Sequence, residues 1–177
     1  MVNKRLLADG LQAINVSGDG NCFFRSISMS LIGSENDHAI LRKNIVQFMS
    51  NEAASIIGHC DTPAAKQVRH CLQNLSRDGV WAGEEVLTTA ASYLCRAIHV
   101  YSGVGITWPL VYQPAGVATE LSSLPIILAF YEPGHYMAAV STQDNQRYLM
   151  FANNINHIEH HTSAGTDQGN SIAPVQH

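Results

Sequence analysis

A cysteine placed where a glycine-rich turn becomes a helix is set up for nucleophilic chemistry, and Cys22 is such a residue. Ser17-Gly18-Asp19-Gly20-Asn21 is a run of five turn formers. The apolar residues that follow, Cys22, Phe23, Ile27 and Leu31, recur at near-helical spacing. Unpaired N–H groups and the positive end of a helix dipole favour a thiolate at that position. The glycines on either side of Asp19 permit the dihedrals by which the backbone of Asp19, Gly20, Asn21 and Cys22 aims N–H groups at one point. A thiolate beside converging donors is the layout of an acyl-transfer nucleophile with its oxyanion hole. Most cysteines are instead small buried hydrophobes. Cys60 and Cys71, with no glycine-rich turn before them, and Cys95, near the apolar stripe of its helix, read that way.

Such a thiol needs a base. With 4 cysteines and 9 histidines in the chain, a Cys–His pair by itself selects nothing, so local context decides. His135 follows Pro133-Gly134 and opens an apolar strand, an element end held by a scaffold yet open to substrate. His99 lies inside a short apolar strand and His38 at a helix start, so both read as structural. His157, His160 and His161 cluster near the C-terminus with Glu159 alone for company, which reads as solvated side chains and no metal site. His59-Cys60 and His70-Cys71 repeat after eleven residues, but Asp61-Thr62-Pro63 breaks any helix that would align them.

The elements that must position Cys22 and His135 fall in two blocks. Four helices are expected before residue 97. The first begins at Cys22. The second follows Asp37, with Leu41, Ile45, Phe48 and Met49 on one stripe, and the third starts at Pro63, with Val68, Leu72 and Leu75 on one face. The fourth carries Leu87, Ala90, Ala91 and Leu94. A short strand or turn over Ala13–Val16 leads in. After Arg96 the period changes, and Ala97–Tyr101, Trp108–Tyr112, Ile126–Tyr131, His135–Ser141 and Tyr148–Ala152 read as strands. Helices first and strands second give an α+β fold, its helices packed on a mainly antiparallel sheet.

Composition agrees with one soluble domain. Apolar residues are 46% and charged residues 14% of 177 positions, enough to build a core. Ten basic against 14 acidic side chains give a net charge of −4, which excludes the electrostatic footprint of a nucleic-acid binder. No apolar run reaches the ~18–20 residues of a membrane span, and Met1–Gly10 lacks the apolar stretch of a secretory signal. Scattered cysteines without a Cys-x-x-Cys pair point to reduced thiols, hence to an intracellular, cytoplasmic protein that is expected to be monomeric and to need no cofactor.

The run Gly18-Asp19-Gly20-Asn21-Cys22-Phe23-Phe24-Arg25-Ser26-Ile27 resembles the nucleophile motif of the ovarian-tumour (OTU) domain cysteine proteases, most of which are deubiquitinases. The likeness continues in order. Leu41-Arg42 resembles the family's second helix. Trp81-Ala82-Gly83-Glu84-Glu85, followed by Ile98-His99-Val100, resembles its tryptophan-glycine helix and strand. Ile126-Ile127-Leu128 and Gly134-His135-Tyr136 resemble its histidine hairpin. It covers about Asn15 to Val140. The resemblance implies a papain-like OTU fold, expected over residues 1–161; from Thr162 the chain is polar and without periodicity, so a flexible tail is expected over 162–177. The resemblance also implies thiol-dependent hydrolysis of the isopeptide or peptide bond after the C-terminal glycine of ubiquitin or a ubiquitin-like modifier, the activity of a ubiquitinyl hydrolase. Carried over, Cys22 is the nucleophile, His135 the general base and later acid, and Asp19 the motif aspartate counted among the catalytic residues. Trp81 matches a family tryptophan and is expected to pack in the core between helix and sheet.

One position departs from the pattern. Family members commonly place Asn or Asp two residues after the histidine, where strand alternation puts both side chains on one face and the imidazole is held in its working tautomer. Here that residue is Met137. The third member is then Asp19, a residue of another segment such as Asn153 or Asn154, or missing; Met137→Asn is expected to raise turnover. Two alternatives follow: an OTU-fold ubiquitin-binding module with little turnover, and a protease that processes a polyprotein. Glu84-Glu85 and the loop from Gly103 to Trp108 are the candidates to meet a modifier's basic tail or apolar patch.

Overall fold

The computed structural model describes residues 1–105, 108–116 and 124–143. The chain divides into two compact units, 1–142 and 143–177. The fold described is that of the first. The expected strand at Tyr148–Ala152, the tail over 162–177, and Asn153, Asn154, His157, His160 and His161 lie outside the described residues.

The order of elements is α1 (Val2–Ala8), β1 (Leu11–Ile14), α2 (Cys22–Ile32), α3 (His38–Ile57), α4 (Pro63–Leu75), a 3-10 turn (Glu84–Val86), α5 (Leu87–Leu94), β2 (Ile98–Ser102), β3 (Leu110–Tyr112), β4 (Ile126–Tyr131) and β5 (His135–Ser141). The helix expected at Pro63 starts there, capped by the Thr62 side chain, which accepts from the Ala65 amide at 3.2 Å. β4 and β5 have the bounds that their apolar runs predict.

The five strands form one sheet in the order β1-β5-β4-β2-β3. Three of its pairings are antiparallel, as expected, but β2 and β4 run parallel in its centre, with Ile98 opposite Ile126 and Val100 opposite Leu128. Hydrophobic period marks a strand but not its direction. The long connection through β3 supplies the crossover that a parallel pair requires.

Alternation along the strands sorts the side chains into two cores. On one face Ile98, Val100, Ile126, Leu128 and Tyr136 pack with Phe23, Phe24 and Ile27 of α2 and with Leu87, Ala90 and Ala91 of α5. On the other, Leu11, Tyr101, Ala129 and Ala139 receive Val2 and Leu6 of α1. The helix α1 has no counterpart in the sequence reading, because seven residues with two buried apolar positions carry too short a period to register. It is fastened through Arg5, whose Nη1 donates to the Ser102 carbonyl at 2.6 Å and whose guanidinium lies 4.3 Å from the Trp108 ring centroid.

Candidate active site

Cys22 is the first residue of α2, and His135 the first of β5. The helix packs directly on the strand, and the residues that follow the two groups are in contact. The ring of Phe23 meets that of Tyr136 edge to face at 5.4 Å. The loop before α2 completes the approach: a Cβ built on Gly18 would stand 3.9 Å from both Nδ1 and Cε1 of His135. The imidazole thus turns its Nδ1 edge toward the glycine loop that precedes Cys22. Its far nitrogen, Nε2, lies 3.2 Å from Oδ1 of Asn15.

Two glycines make the loop possible. Gly20 sits at φ +83°, and a Cβ there would fall 1.8 Å from the carbonyl oxygen of Gly79. The loop and the segment around Gly79 are in backbone contact, and no side chain fits between them. Arg42 of α3 ties the two together. It is buried and donates to Oδ1 of Asn21 at 3.0 Å and to the carbonyls of Leu75 at 2.8 Å, Gly20 at 3.1 Å and Val80 at 2.6 Å. Its guanidinium covers the Phe24 ring at 4.4 Å. The Asn21 carboxamide also accepts from the Gly79 amide at 3.3 Å. In sequence Arg42 is only part of a resemblance. The available signal was a charge between Leu41 and Ile45, on the flank of a stripe that must be buried.

The Asp19 side chain is held by its own partners. Its carboxylate accepts from Arg25 Nη2 at 2.6 Å and Nε at 3.0 Å, and from the Asn21 amide and side-chain Nδ2, both at 3.1 Å. The Arg25 guanidinium holds the carboxyl well below the usual carboxylate range, against a smaller opposing effect of burial. Arg25 also pairs with Glu35 at 3.2 Å, and Glu35 accepts from the Ser17 amide at 3.2 Å, so one ionic cluster braces both ends of the loop. The imidazole partner is therefore Asn15 rather than Asp19. Of the four backbone amides expected at the oxyanion position, that of Asn21 is engaged by Asp19.

Trp81 corrects a second expectation. It is 46% exposed and not in the core. Its Nε1 donates to the Gly134 carbonyl at 2.8 Å, and its ring stacks on Tyr136 at 6.5 Å, so it braces the turn that presents His135. Gly83 is required beneath it, since a Cβ there would approach Cζ3 of Trp81 to 2.8 Å. Trp81, Tyr136, Phe130, Leu110 and Val104 line a cavity of about 280 Å³, with Glu84 and Tyr112 at its polar side. Glu84 accepts from the Tyr112 hydroxyl at 2.8 Å, and Glu85 from the Gly83 amide at 3.1 Å.

The remaining candidates stay apart from the site. His99 lies half-buried in β2, where burial pushes its pKa down and favours the neutral ring. His38 opens α3 beside Arg25 Nη1 at 3.2 Å. None of the four cysteines is in a disulfide. Cys60 and Cys95 are exposed, contrary to their reading as buried hydrophobes: Cys60 follows the end of α3, and Cys95 caps α5 in a left-handed turn at φ +50°. Cys22 is the buried thiol, at 2% exposure. Among the described residues no group of three or more His, Cys, Asp or Glu side chains is placed to hold a metal ion. Among them, too, no helix is long and apolar enough to cross a membrane.

The model of the OTU-like cysteine protease family matches residues 17–136, from the turn before Cys22 to the residue after His135. The chain belongs to this family. Among curated OTU relatives, the OTU-domain deubiquitinating enzyme 7 of Arabidopsis thaliana is 29% identical over 142 residues, which are 79% of this chain and 36% of that protein. The human OTU domain-containing protein 1 is 27% identical over 122 residues, 68% of this chain and 24% of its relative. The chain thus spans about a third or less of the length of these two relatives. The solved OTU domain of OTUD1 superimposes with a TM-score of 0.60 at 23% identity, over 78% of this chain and 91% of that one. An OTU domain solved in complex with ubiquitin gives 0.54 at 17% identity, over 73% and 69%. At these identities the structural likenesses establish the OTU fold.

Proposed function

We propose that the chain is a thiol-dependent deubiquitinase, in which Cys22 attacks the carbonyl of the C-terminal glycine of ubiquitin or a ubiquitin-like modifier and His135 moves the proton. The observation that carries this reading is the pairing of the loop before Cys22 with the Nδ1 edge of His135, fixed by Phe23 against Tyr136. The names of the curated relatives supply the substrate class.

In the cycle, Nδ1 of His135 takes the proton of the Cys22 thiol as sulfur adds to the carbonyl carbon. The amides of Asp19, Gly20 and Cys22 receive the oxyanion. Collapse breaks the C–N bond, the imidazolium gives its proton to the leaving amine, and a thioester remains. Water, activated by the same imidazole, hydrolyses it and restores the thiol. Asp19 acts on this cycle through the loop, by holding Arg25 and Asn21. Cys22 is only 2% exposed, which suits a substrate whose reacting residue is a glycine with no side chain. The cavity beside Trp81, with Glu84 and the exposed Val104 in its lining, is where the modifier's tail is expected to lie. The reading requires no cofactor and takes the enzyme to be a monomer working in the reducing cytoplasm, in keeping with four unpaired thiols. The binding-only alternative is motivated by Met137, and the contact between Asn15 and His135 weighs against it.

The test is intact mass after incubation with ubiquitin carrying a C-terminal electrophile, for the wild type and Cys22→Ala in parallel. A single adduct absent from the variant is expected. A folded wild type that forms none would overturn the reading.

A further inference from the structure

The family position for the group that orients the histidine is empty of any strong acceptor. Met137 lies two residues after His135 on the same face of β5 and packs with the cluster that α1 covers. The β1–β5 register runs from Leu11 opposite Ser141 to Ile14 opposite Ala138. Asn15 is the residue just after β1, and the same register continued by one step would set it opposite Met137. Directly opposed residues project on one face, and a diagonal neighbour two positions along is within reach of a polar side chain. That diagonal neighbour is His135, and Oδ1 of Asn15 is 3.2 Å from its Nε2.

We propose that Asn15 is the positioning residue of His135, the orienting carboxamide having moved from β5 to the residue that follows β1. Asn15 Oδ1 accepts the Nε2 proton. That leaves the lone pair on Nδ1, the nitrogen that faces the Gly18 loop and the start of α2. The exchange also explains how a methionine is accommodated at 137. Once the acceptor comes from the end of β1, that position serves the apolar cluster with Ala139 and Leu6. Met137→Asn in the wild type then gains nothing, contrary to the expectation from sequence, because the imidazole already has its partner.

The inference rests on the reading of His135 as general base, and the experiment separates the two. Asn15→Ala, Asn15→Asp, Met137→Asn and the double variant Asn15→Ala/Met137→Asn are compared with the wild type. The readouts are kcat and KM on a fluorogenic ubiquitin C-terminal amide, and the His135 tautomer by 15N–1H correlation of the ring. Asn15→Ala is expected to lower kcat by about 10- to 100-fold with KM little changed, and to lose the pure Nε2–H tautomer. Met137→Asn alone leaves kcat within about 2-fold. The double variant, with a carboxamide back on β5, recovers activity and tautomer relative to Asn15→Ala. Asn15→Asp, which keeps the acceptor, is more active than Asn15→Ala and serves as the rescue if Met137→Asn does not fold. Unchanged kcat and tautomer in Asn15→Ala, or no recovery in any folded rescue variant, would overturn the proposal. An inactive wild type whose Nε2–H tautomer still depends on Asn15 would sink the protease reading while supporting the contact.

Discussion

Phe23 and Tyr136 meet edge to face at 5.4 Å, and each is the residue immediately after one of the two proposed reacting groups. Tyr136 also touches Phe130 at 4.9 Å and stacks under Trp81 at 6.5 Å, so four rings fix the start of α2 against the start of β5. Tyr136→Ala should therefore cost about 3–5 kcal/mol of stability, as truncation of a buried aromatic does, and should slow labelling of Cys22 by a ubiquitin electrophile. Tyr136→Phe keeps the rings and should keep both. Urea unfolding and adduct kinetics on the same samples check the pair.

Gly20 has no tolerated substitute. At φ +83°, with the Gly79 oxygen 1.8 Å from any added Cβ, Gly20→Ala must push the loop off the segment it rests on. If loop amides hold the oxyanion, kcat/KM should fall by about 100-fold or more. The substitution should affect turnover more than the binding of intact ubiquitin, a split that kinetics together with an equilibrium titration will resolve.

Arg42 should prove as sensitive as a residue in contact with substrate. Its planar fork serves Asn21, Gly20, Leu75 and Val80 at once, and a lysine ammonium cannot reach that set from one position. Arg42→Lys leaves buried acceptors unpaired at about 1–3 kcal/mol each. A drop in the denaturation midpoint with an unchanged slope, together with lost activity, is the expected result.

Cys22 and His135 could be singled out in the sequence because each stands at a punctuation mark, a glycine-rich turn and a Pro-Gly turn. So could β4 and β5, whose apolar runs are continuous. Asn15 was hidden for the opposite reason. Its role depends on which strand lies beside β5 and in what register, and neither is encoded locally. Arg42 was hidden because its four partners come from three segments. Trp81 was misplaced because an aromatic between glycines reads as core, whereas Gly83 in fact makes room for a half-exposed ring that serves Gly134. Element ends are local properties. The groups that hold them are not.

Asp19 gives the pH prediction. Its folded carboxyl is held below the ordinary value of 3.8, chiefly by Arg25, whereas in the unfolded chain it titrates near that value. A depressed folded value means that the contribution to stability is complete above the unfolded one and is lost as pH falls toward the folded one. The stability difference between the wild type and Asp19→Asn should therefore be flat from neutral pH down to about pH 5, then shrink as the pH falls below about 4. Because the carboxylate is 43% exposed, the plateau should be modest and should narrow in high salt. Arg25→Gln removes the largest cause of the shift, so the plateau should shrink while the onset of the loss, set by the unfolded carboxyl, stays at about pH 4. Urea midpoints from pH 7 to pH 3 measure it. A difference that stays constant throughout would mean that the Asp19 charge contributes nothing to the loop that carries Cys22.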